Sequence, residues 1–169
     1  GPGISLKQEL LGYAYIAEIP IVLANVQRGG PSTGLPTKIS QADVMQAKWG
    51  PNGDHGTIAY APCSIQDCYE ITIKAFNNAE RYRQPVLIMA DEVLGHMREK
   101  ITIPAADSYK IVNRKKPTVS PDEFVPYRAD ENGVPPMAAF GDGYRWHVTG
   151  LTTNEWGFPT NDAPDIDLK

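Results

Sequence analysis

The sequence predicts an α/β fold: a parallel sheet with flanking helices, followed by an extended Pro-rich arm. Three observations carry that expectation. Short apolar runs rich in β-branched residues alternate with helical periodicities through roughly the first hundred residues. The stretch from Thr57 to Asp91 has the order strand, helix, strand, which is that of a βαβ unit. Beyond Pro104 the prolines at 117, 121, 126, 135, 136, 159 and 164 break every candidate helix, and no long period survives.

The elements follow in order. "SLKQELLGYAYIAE" sets Leu6, Leu10, Tyr13 and Ala17 at helical spacing, with Ser5 placed to cap the start. "IPIVLANV" is a continuous apolar run, the pattern of a strand buried on both faces. Ser40 precedes "QADVMQAKW", a shorter helix, and "TIAYAP" gives a second strand from Thr57 to Pro62. The strongest helix runs from Ser64 to about Gln84. Ser64 and Asp67 resemble a capping box, and Ile65, Cys68, Tyr69, Thr72, Ala75, Phe76 and Ala79 form one apolar stripe. Pro85 stops it, and "VLIMAD" supplies a third strand, so the sheet should be parallel with right-handed crossovers. In the arm, Phe124, Tyr127, Phe140, Tyr144 and Trp146 predict packing on this domain or on a partner, against the alternative of a solvated linker.

Bulk properties narrow the function. A hydrophobic share of 41% with 21% charged residues is globular composition, which excludes a disordered polymer. The net charge of −4 argues against nucleic acid as a partner, and the short basic cluster Asn113 to Lys116 does not overturn that. Cys63 and Cys68 are the only cysteines, too few for a four-thiolate metal or iron–sulfur site. They also give no disulfide framework, which favours a reducing, cytoplasmic location. No apolar run is long enough to cross a bilayer, so no membrane association is expected. The opening "GPGISL" lacks an initiator methionine and a signal pattern, and reads as part of a longer chain.

Chemistry concentrates in "VQRGGPSTGLPTK", Val26 to Lys38. Parallel sheets bind ligands outside the carboxyl ends of their strands, and Arg28 stands at such an end. Gly29, Gly30 and Gly34 let the backbone approach a ligand, while Pro31 and Pro36 restrict the loop. An arginine fork there suits a carboxylate or phosphate; the competing reading is a surface salt bridge. The "GPG" of Gly1 to Gly3 matches no phosphate-binding motif. His55 could act in acid–base chemistry or hold a carboxylate, but a lone loop histidine usually does neither. His96 and His147 have weaker contexts, Cys63 fits a packing role, and Asp91 or Glu92 suits capping of the next turn. No Ser/His/Asp constellation or metal-ligand spacing assembles, so no metal site is expected in this chain.

The sequence also resembles a family. "GPGISLKQELLGYAYIAEIPIVLANVQRGGPSTGLPTKISQADVMQAKWG" is similar to the α subunit of 2-oxoacid:ferredoxin oxidoreductases. The likeness continues through "APCSIQDCYEITIKAFNNAERYRQPVLIMADE" and "VNRKKPTV" to "YRADENGVPPMAAFGDGYRWHVTGLT", covering nearly the whole chain. "GVPPMAAFG" and "HVTGLT" resemble the 2-oxoglutarate branch. "PCSIQD" departs from the family's Gly-Asp type of turn.

The resemblance implies the later part of a thiamine diphosphate pyrimidine-binding domain over 1–103, incomplete because its activating carboxylate and an early strand lie upstream. It implies an arm or linker over 104–150 and the lead-in to a further domain over 151–169. The family's reaction is oxidative decarboxylation of a 2-oxo acid, or its reverse, with coenzyme A taking the acyl group and ferredoxin the electrons. Thiamine diphosphate with Mg2+ would be shared with a partner β subunit, and the iron–sulfur cluster would belong to that subunit. By position, Arg28 would pair with the substrate carboxylate next to the reacting carbonyl. Gly29, Gly30, Pro31, Ser32, Thr33 and Gly34 would shape the wall, and Gly1, Pro2 and Gly3 would lie near the aminopyrimidine. A distal carboxylate would want a second cation, for which Lys38, His55 and Lys48 are candidates in sequence. The alternative is a non-catalytic α/β module that organises a multi-subunit complex; another thiamine enzyme with a different acceptor is a third reading.

Overall fold

The computed structural model describes residues 1–162 and contains a three-stranded parallel sheet between helical layers. In chain order, the elements are α1 (Pro2–Ile16), β1 (Val22–Gln27), α2 (Val44–Trp49), β2 (Ile58–Tyr60), α3 (Ile65–Tyr82), β3 (Val86–Asp91) and α4 (Glu92–His96). The strand order is β1-β3-β2, and both pairings are parallel. The last strand in sequence is therefore the central one.

β3 explains the layering. Its side chains alternate across the sheet, as in any pleated strand. Leu87 and Met89 pack with Ile4, Leu11 and Ala47 from α1 and α2. Val86 and Ile88 face the other way, onto Ala75 and Ala79 of α3. Covered on both faces, the strand reads as the unbroken apolar run its sequence suggested.

α3 forms as the sequence predicted. Ser64 Oγ accepts the Asp67 N–H at 3.0 Å, and Arg83 ends the helix in the left-handed region at φ 50°. The predicted stripe is only partly buried. Ala75 and Ala79 face the sheet with Ile71 beside them, whereas Phe76 is exposed.

α1 and β1 depart further. α1 starts three residues before Ser5, with Gly1 as its N-cap and Pro2 in its first turn, where a missing N–H is harmless. Its buried residues are Ile4, Leu11 and Ala14, while Leu6 is 83% exposed and Leu10 and Tyr13 are also exposed. The helix is apolar on more than one side, so periodicity could not choose the core face. Among the described strands β1 pairs with β3 alone, and its Ala24 and Val26 are exposed, against the expectation of burial on both faces. α2 begins after Asp43, not near Ser40.

The arm packs on the domain through polar anchors. Arg83, only 3% exposed, donates to the carbonyls of Pro126, Pro135 and Pro136 at 3.1 to 3.4 Å, pairs with Glu18 and lies over the Tyr127 ring. The basic cluster is absorbed by acids: Arg114 pairs with Glu80, Lys115 with Asp130 and Lys116 with Asp142. Phe124 and Tyr127 are buried, but Phe140 is 92% exposed, stacked only on Trp146. The lead-in expected over 151–169 is described as far as Asp162, where Thr153 and Pro159 form a bridge; the remainder lies outside the described residues.

Candidate functional site

The carboxyl edge of the sheet carries the site. α1 runs from this edge toward the opposite one, so its start meets the loop that leaves β1. That loop is closed by its own backbone. Gly29 N–H donates to Lys38 O at 3.1 Å, Leu35 N–H to Gly29 O at 2.9 Å, and Lys38 N–H to Leu35 O at 3.1 Å. Gly29 and Leu35 form an antiparallel bridge, and the Gly30–Pro31 peptide is cis. Ser32 and Gly34 both take positive φ, at 54° and 59°. At Gly34 only glycine fits, because a Cβ there would lie 1.8 Å from Gly29 O.

Between this loop and α1 lies an open groove of about 620 Å³, within the range of ligand sites. Of the predicted residues, Gly1, Pro2, Gly30, Pro31 and Ser32 line it; Arg28, Gly3, Gly29, Thr33, Gly34 and Lys38 are not among its lining residues. Arg28 is half-buried and has no ion pair or hydrogen bond among the described residues. Lys38 is exposed at the closure of the same loop.

His55 sits elsewhere. Arg28 follows Gln27, which pairs with Asp91, whereas His55 precedes Ile58, which pairs with Val86. Five strand residues separate those positions, about 17 Å along the sheet. The His55 ring lies 4.4 Å from that of Tyr15, and its Nε2 is buried without a partner. Within this chain, His55 and Arg28 therefore share no site.

Sequence reasoning missed Asp43. Its side chain is 8% exposed and lines the groove beside Gln46. Burial pushes its pKa up, while the hydrogen bond from Asn25 pulls it down. Its position directly before α2 suggests a cap, yet it makes no capping bond with its side chain. Only coordinates reveal that distinction. Asp91, by contrast, does cap α4, accepting the Leu94 N–H at 3.1 Å.

A glycine–proline helix start, a rigid loop and an unpaired arginine at the carboxyl edge of a parallel sheet define an α/β domain built to hold a small ligand. Comparison with known proteins gives the family. Residues 1–169 match the family described as "Pyruvate flavodoxin/ferredoxin oxidoreductase, thiamine diP-bdg", and the chain belongs to it. It is 58% identical over 165 residues to the 2-oxoglutarate synthase subunit KorA of Methanothermobacter thermautotrophicus, covering 98% of this chain and 43% of that protein. Identity to the same subunit of Methanocaldococcus jannaschii is 54%, over 94% of this chain and 42% of that protein. Among solved structures, a 2-oxoglutarate:ferredoxin oxidoreductase from Magnetococcus marinus, with 2-oxoglutarate, coenzyme A and succinyl-CoA bound, superposes with a TM-score of 0.88. That match has 34% identity and covers 99% of this chain and 29% of the other. The chain thus spans less than half the length of these relatives.

The residues present fit one end of the family's cofactor. Pro2, Leu6 and Pro31 give the groove apolar walls, and Asp43 gives it an acceptor. Among the described residues no group of three or more His, Cys, Asp or Glu could hold a metal ion. Apolar walls beside an acceptor are chemically compatible with the ring end of thiamine diphosphate.

Proposed function

We propose that this chain supplies the pyrimidine side of the thiamine diphosphate site in a 2-oxoacid:ferredoxin oxidoreductase acting on 2-oxoglutarate. The reaction is oxidative decarboxylation to an acyl-CoA and CO2, or the reverse carboxylation, with ferredoxin as electron partner. One juxtaposition carries this reading: the Gly1–Gly3 helix start, the 29–34 loop and unpaired Arg28 meet at a single sheet edge. The relatives' names supply the substrate.

The cofactor, when bound, supplies the carbon nucleophile and electron sink that 2-oxo acid cleavage requires. This chain's residues bind and orient. The Arg28 guanidinium forms two parallel hydrogen bonds to the carboxylate beside the reacting carbonyl, which fixes the direction in which that carbonyl faces. Its half-buried position strengthens the pairing over one in open water. Lys38, at the same edge, is this chain's candidate for the distal carboxylate. Gly29, Gly30, Pro31, Ser32, Thr33 and Gly34 form the wall, and Gly1, Pro2 and Gly3 flank the aminopyrimidine. Mg2+, the iron–sulfur cluster and the remaining contacts come from a β subunit, in a soluble cytoplasmic complex. No described helix is long and apolar enough to cross a membrane. The same reading divides the chain into domain (1–103), arm (104–150) and lead-in (151–169).

The test uses the complete complex, purified without air, with thiamine diphosphate and coenzyme A present. Reduction of a low-potential dye by 2-oxoglutarate, and not by pyruvate or branched-chain 2-oxo acids, is the expected result. Arg28→Ala should lower kcat/KM about 10²-fold, the loss of one charge-assisted clamp. Unchanged turnover in that variant would return the chain to the role of a non-catalytic scaffold.

A further inference from the structure

The stretch after β3 is fastened chiefly by polar bonds. None of residues 92–123 is buried, and α4 contributes nothing to the core. A helix of five residues is marginal by itself, because nucleation costs more than so few bonds return. α4 therefore depends on what holds its two ends. At its start, Asp91 Oδ1 accepts the Leu94 N–H at 3.1 Å. Beyond its end, Glu99 Oε2 accepts the Ile65 N–H at 2.8 Å and the Gln66 N–H at 3.4 Å, in the first turn of α3. Gln66 Oε1 accepts the Thr102 N–H at 2.7 Å, and Gln66 Nε2 donates to the Thr102 carbonyl at 3.1 Å. These bonds dock the chain onto α3 directly after α4.

The same segment meets the end of β1. Gly95 lies so near it that a Cβ there would stand 3.2 Å from Val26 Cγ1, two residues before Arg28. Asp91 is opposite Gln27 in the strand register, and Arg28 follows Gln27. Neighbouring strands are about 5 Å apart, so an arginine one residue on can span to that carboxylate. Both Asp91 oxygens are in use, Oδ1 by the start of α4 and Oδ2 by the Gln41 amide at 3.2 Å. Both donors are neutral, and each such bond is weaker than one from a guanidinium. Unravelling α4 frees one oxygen and opens the stronger pairing to it.

We propose that Asp91 is a built-in rival of the substrate carboxylate, and that α4 is the latch that holds it off Arg28. With α4 formed and Glu99 docked on α3, Asp91 serves as a cap and Arg28 is open to the 2-oxo acid. With α4 unravelled, Asp91 turns to Arg28 and closes the site. The inference rests on reading Arg28 as the substrate clamp, and adds a means of regulation, since a pull on the chain beyond Thr102 works on the latch. Linkage makes the coupling reciprocal: a 2-oxo acid on Arg28 leaves Asp91 to its cap and favours the ordered α4.

The experiment is steady-state kinetics of the complete complex, purified without air, with 2-oxoglutarate as substrate. Glu99 is exposed, so Glu99→Ala loosens the latch without touching the core. Gln66→Ala, which cuts the bonds to Thr102, is the second variant should the first fail to assemble. Each should raise the KM for 2-oxoglutarate about three- to tenfold with kcat retained, as the fraction of open Arg28 falls. Asp91→Asn still offers an oxygen to the Leu94 N–H but lacks the charge that draws Arg28. Added to Glu99→Ala, it should return KM to within about twofold of wild type, a rescue that a merely structural Glu99 would not give. Amide exchange at Leu94 should also quicken in Glu99→Ala and slow when 2-oxoglutarate is present. An unchanged KM in both loosened variants, or a raised KM that Asp91→Asn does not restore, overturns the latch and leaves Arg28 as the clamp. Arg28→Ala with unaltered turnover of 2-oxoglutarate overturns the clamp itself, and the latch with it.

Discussion

Replacing Gly34 with alanine probes whether the 29–38 loop is shaped by its own backbone. A Cβ at Gly34 would lie 1.8 Å from Gly29 O, 2.7 Å from Gly29 C and 2.9 Å from Gly30 Cα. All three are main-chain atoms, so no rotamer change relieves the clash. Holding an L residue at this positive φ costs a further ~1–2 kcal/mol. To admit the methyl group, the Gly29–Leu35 bridge must open, and the bonds Leu35 N–H to Gly29 O and Gly29 N–H to Lys38 O go with it. Each is worth about 1 kcal/mol net, so the closed loop loses about 3–4 kcal/mol in all. Gly30→Ala is the matched control, because a Cβ there meets nothing within 4 Å. Amide hydrogen exchange at Gly29, Leu35 and Lys38, followed in the assembled complex, reads the difference. Gly34→Ala should speed it by about 10²- to 10³-fold, at 1.4 kcal/mol per decade, and raise the KM for the 2-oxo acid. Gly30→Ala should leave exchange near wild type. Equal exchange in the two variants would refute the claim that main-chain closure holds the loop.

Two further outcomes concern the arm. Arg83→Met removes the bonds to three arm carbonyls and leaves Glu18 without its buried cation, at a cost of about 3–5 kcal/mol and on the order of 10 °C in melting temperature. Limited proteolysis should then cut first between residues 104 and 150, and an unchanged melting point would show that the anchor is dispensable. The Asp130 carboxyl is held down to about 2, first by the Lys115 ammonium and then by the Asn132 N–H. A folded value below the unfolded one near 3.9 means this tether is fully present above about pH 4 and is lost as pH falls toward 2. Lys115→Ala should move the Asp130 midpoint up toward the ordinary value in a carboxyl NMR titration; an unmoved midpoint excludes the contact.

What was legible in the sequence depended on how local its cause was. Ser64, Asp67 and Pro85 state the limits of α3 within a few residues of one another, and β3 announces itself because both its faces are covered. β1 has almost the same texture, yet among the described strands it pairs on one side only, and texture does not count partners. The core face of α1 was illegible for a related reason: Leu6 and Leu10 are as apolar as Ile4 and Leu11, and the sheet alone chooses between them. The Gly/Pro loop could be singled out from composition. Asp43 could not, because it sits where a cap belongs and its bonds run to Asn25 and Gln27, 18 and 16 positions away. Arg83 was hidden among the surface charges of "AERYRQP", and a left-handed turn after α3 sends it inward.

The choice between enzyme and scaffold turns on where bonding capacity is left unused. At the amino edge of the sheet Arg83 is committed to Glu18 and to the carbonyls of the arm. At the carboxyl edge Arg28 has no partner among the described residues, although an acid is near. Asp91 stands opposite Gln27 in the β1–β3 register, one residue from Arg28. Its Oδ1 is taken by the Leu94 N–H at the start of α4, and its Oδ2 by the Gln41 amide at 3.2 Å. A fold selected only for stability would gain by turning that carboxylate to the half-buried guanidinium, since a charged pair is worth more than a cap and a neutral amide. Gln41 holds the second oxygen of Asp91, and on the proposed function Arg28 is thereby left to an incoming carboxylate. Gln41→Ala therefore releases Asp91 to compete for Arg28, which should raise the KM for the 2-oxo acid and stabilise the unliganded chain. A variant that loses both affinity and stability would instead assign Gln41 to packing alone.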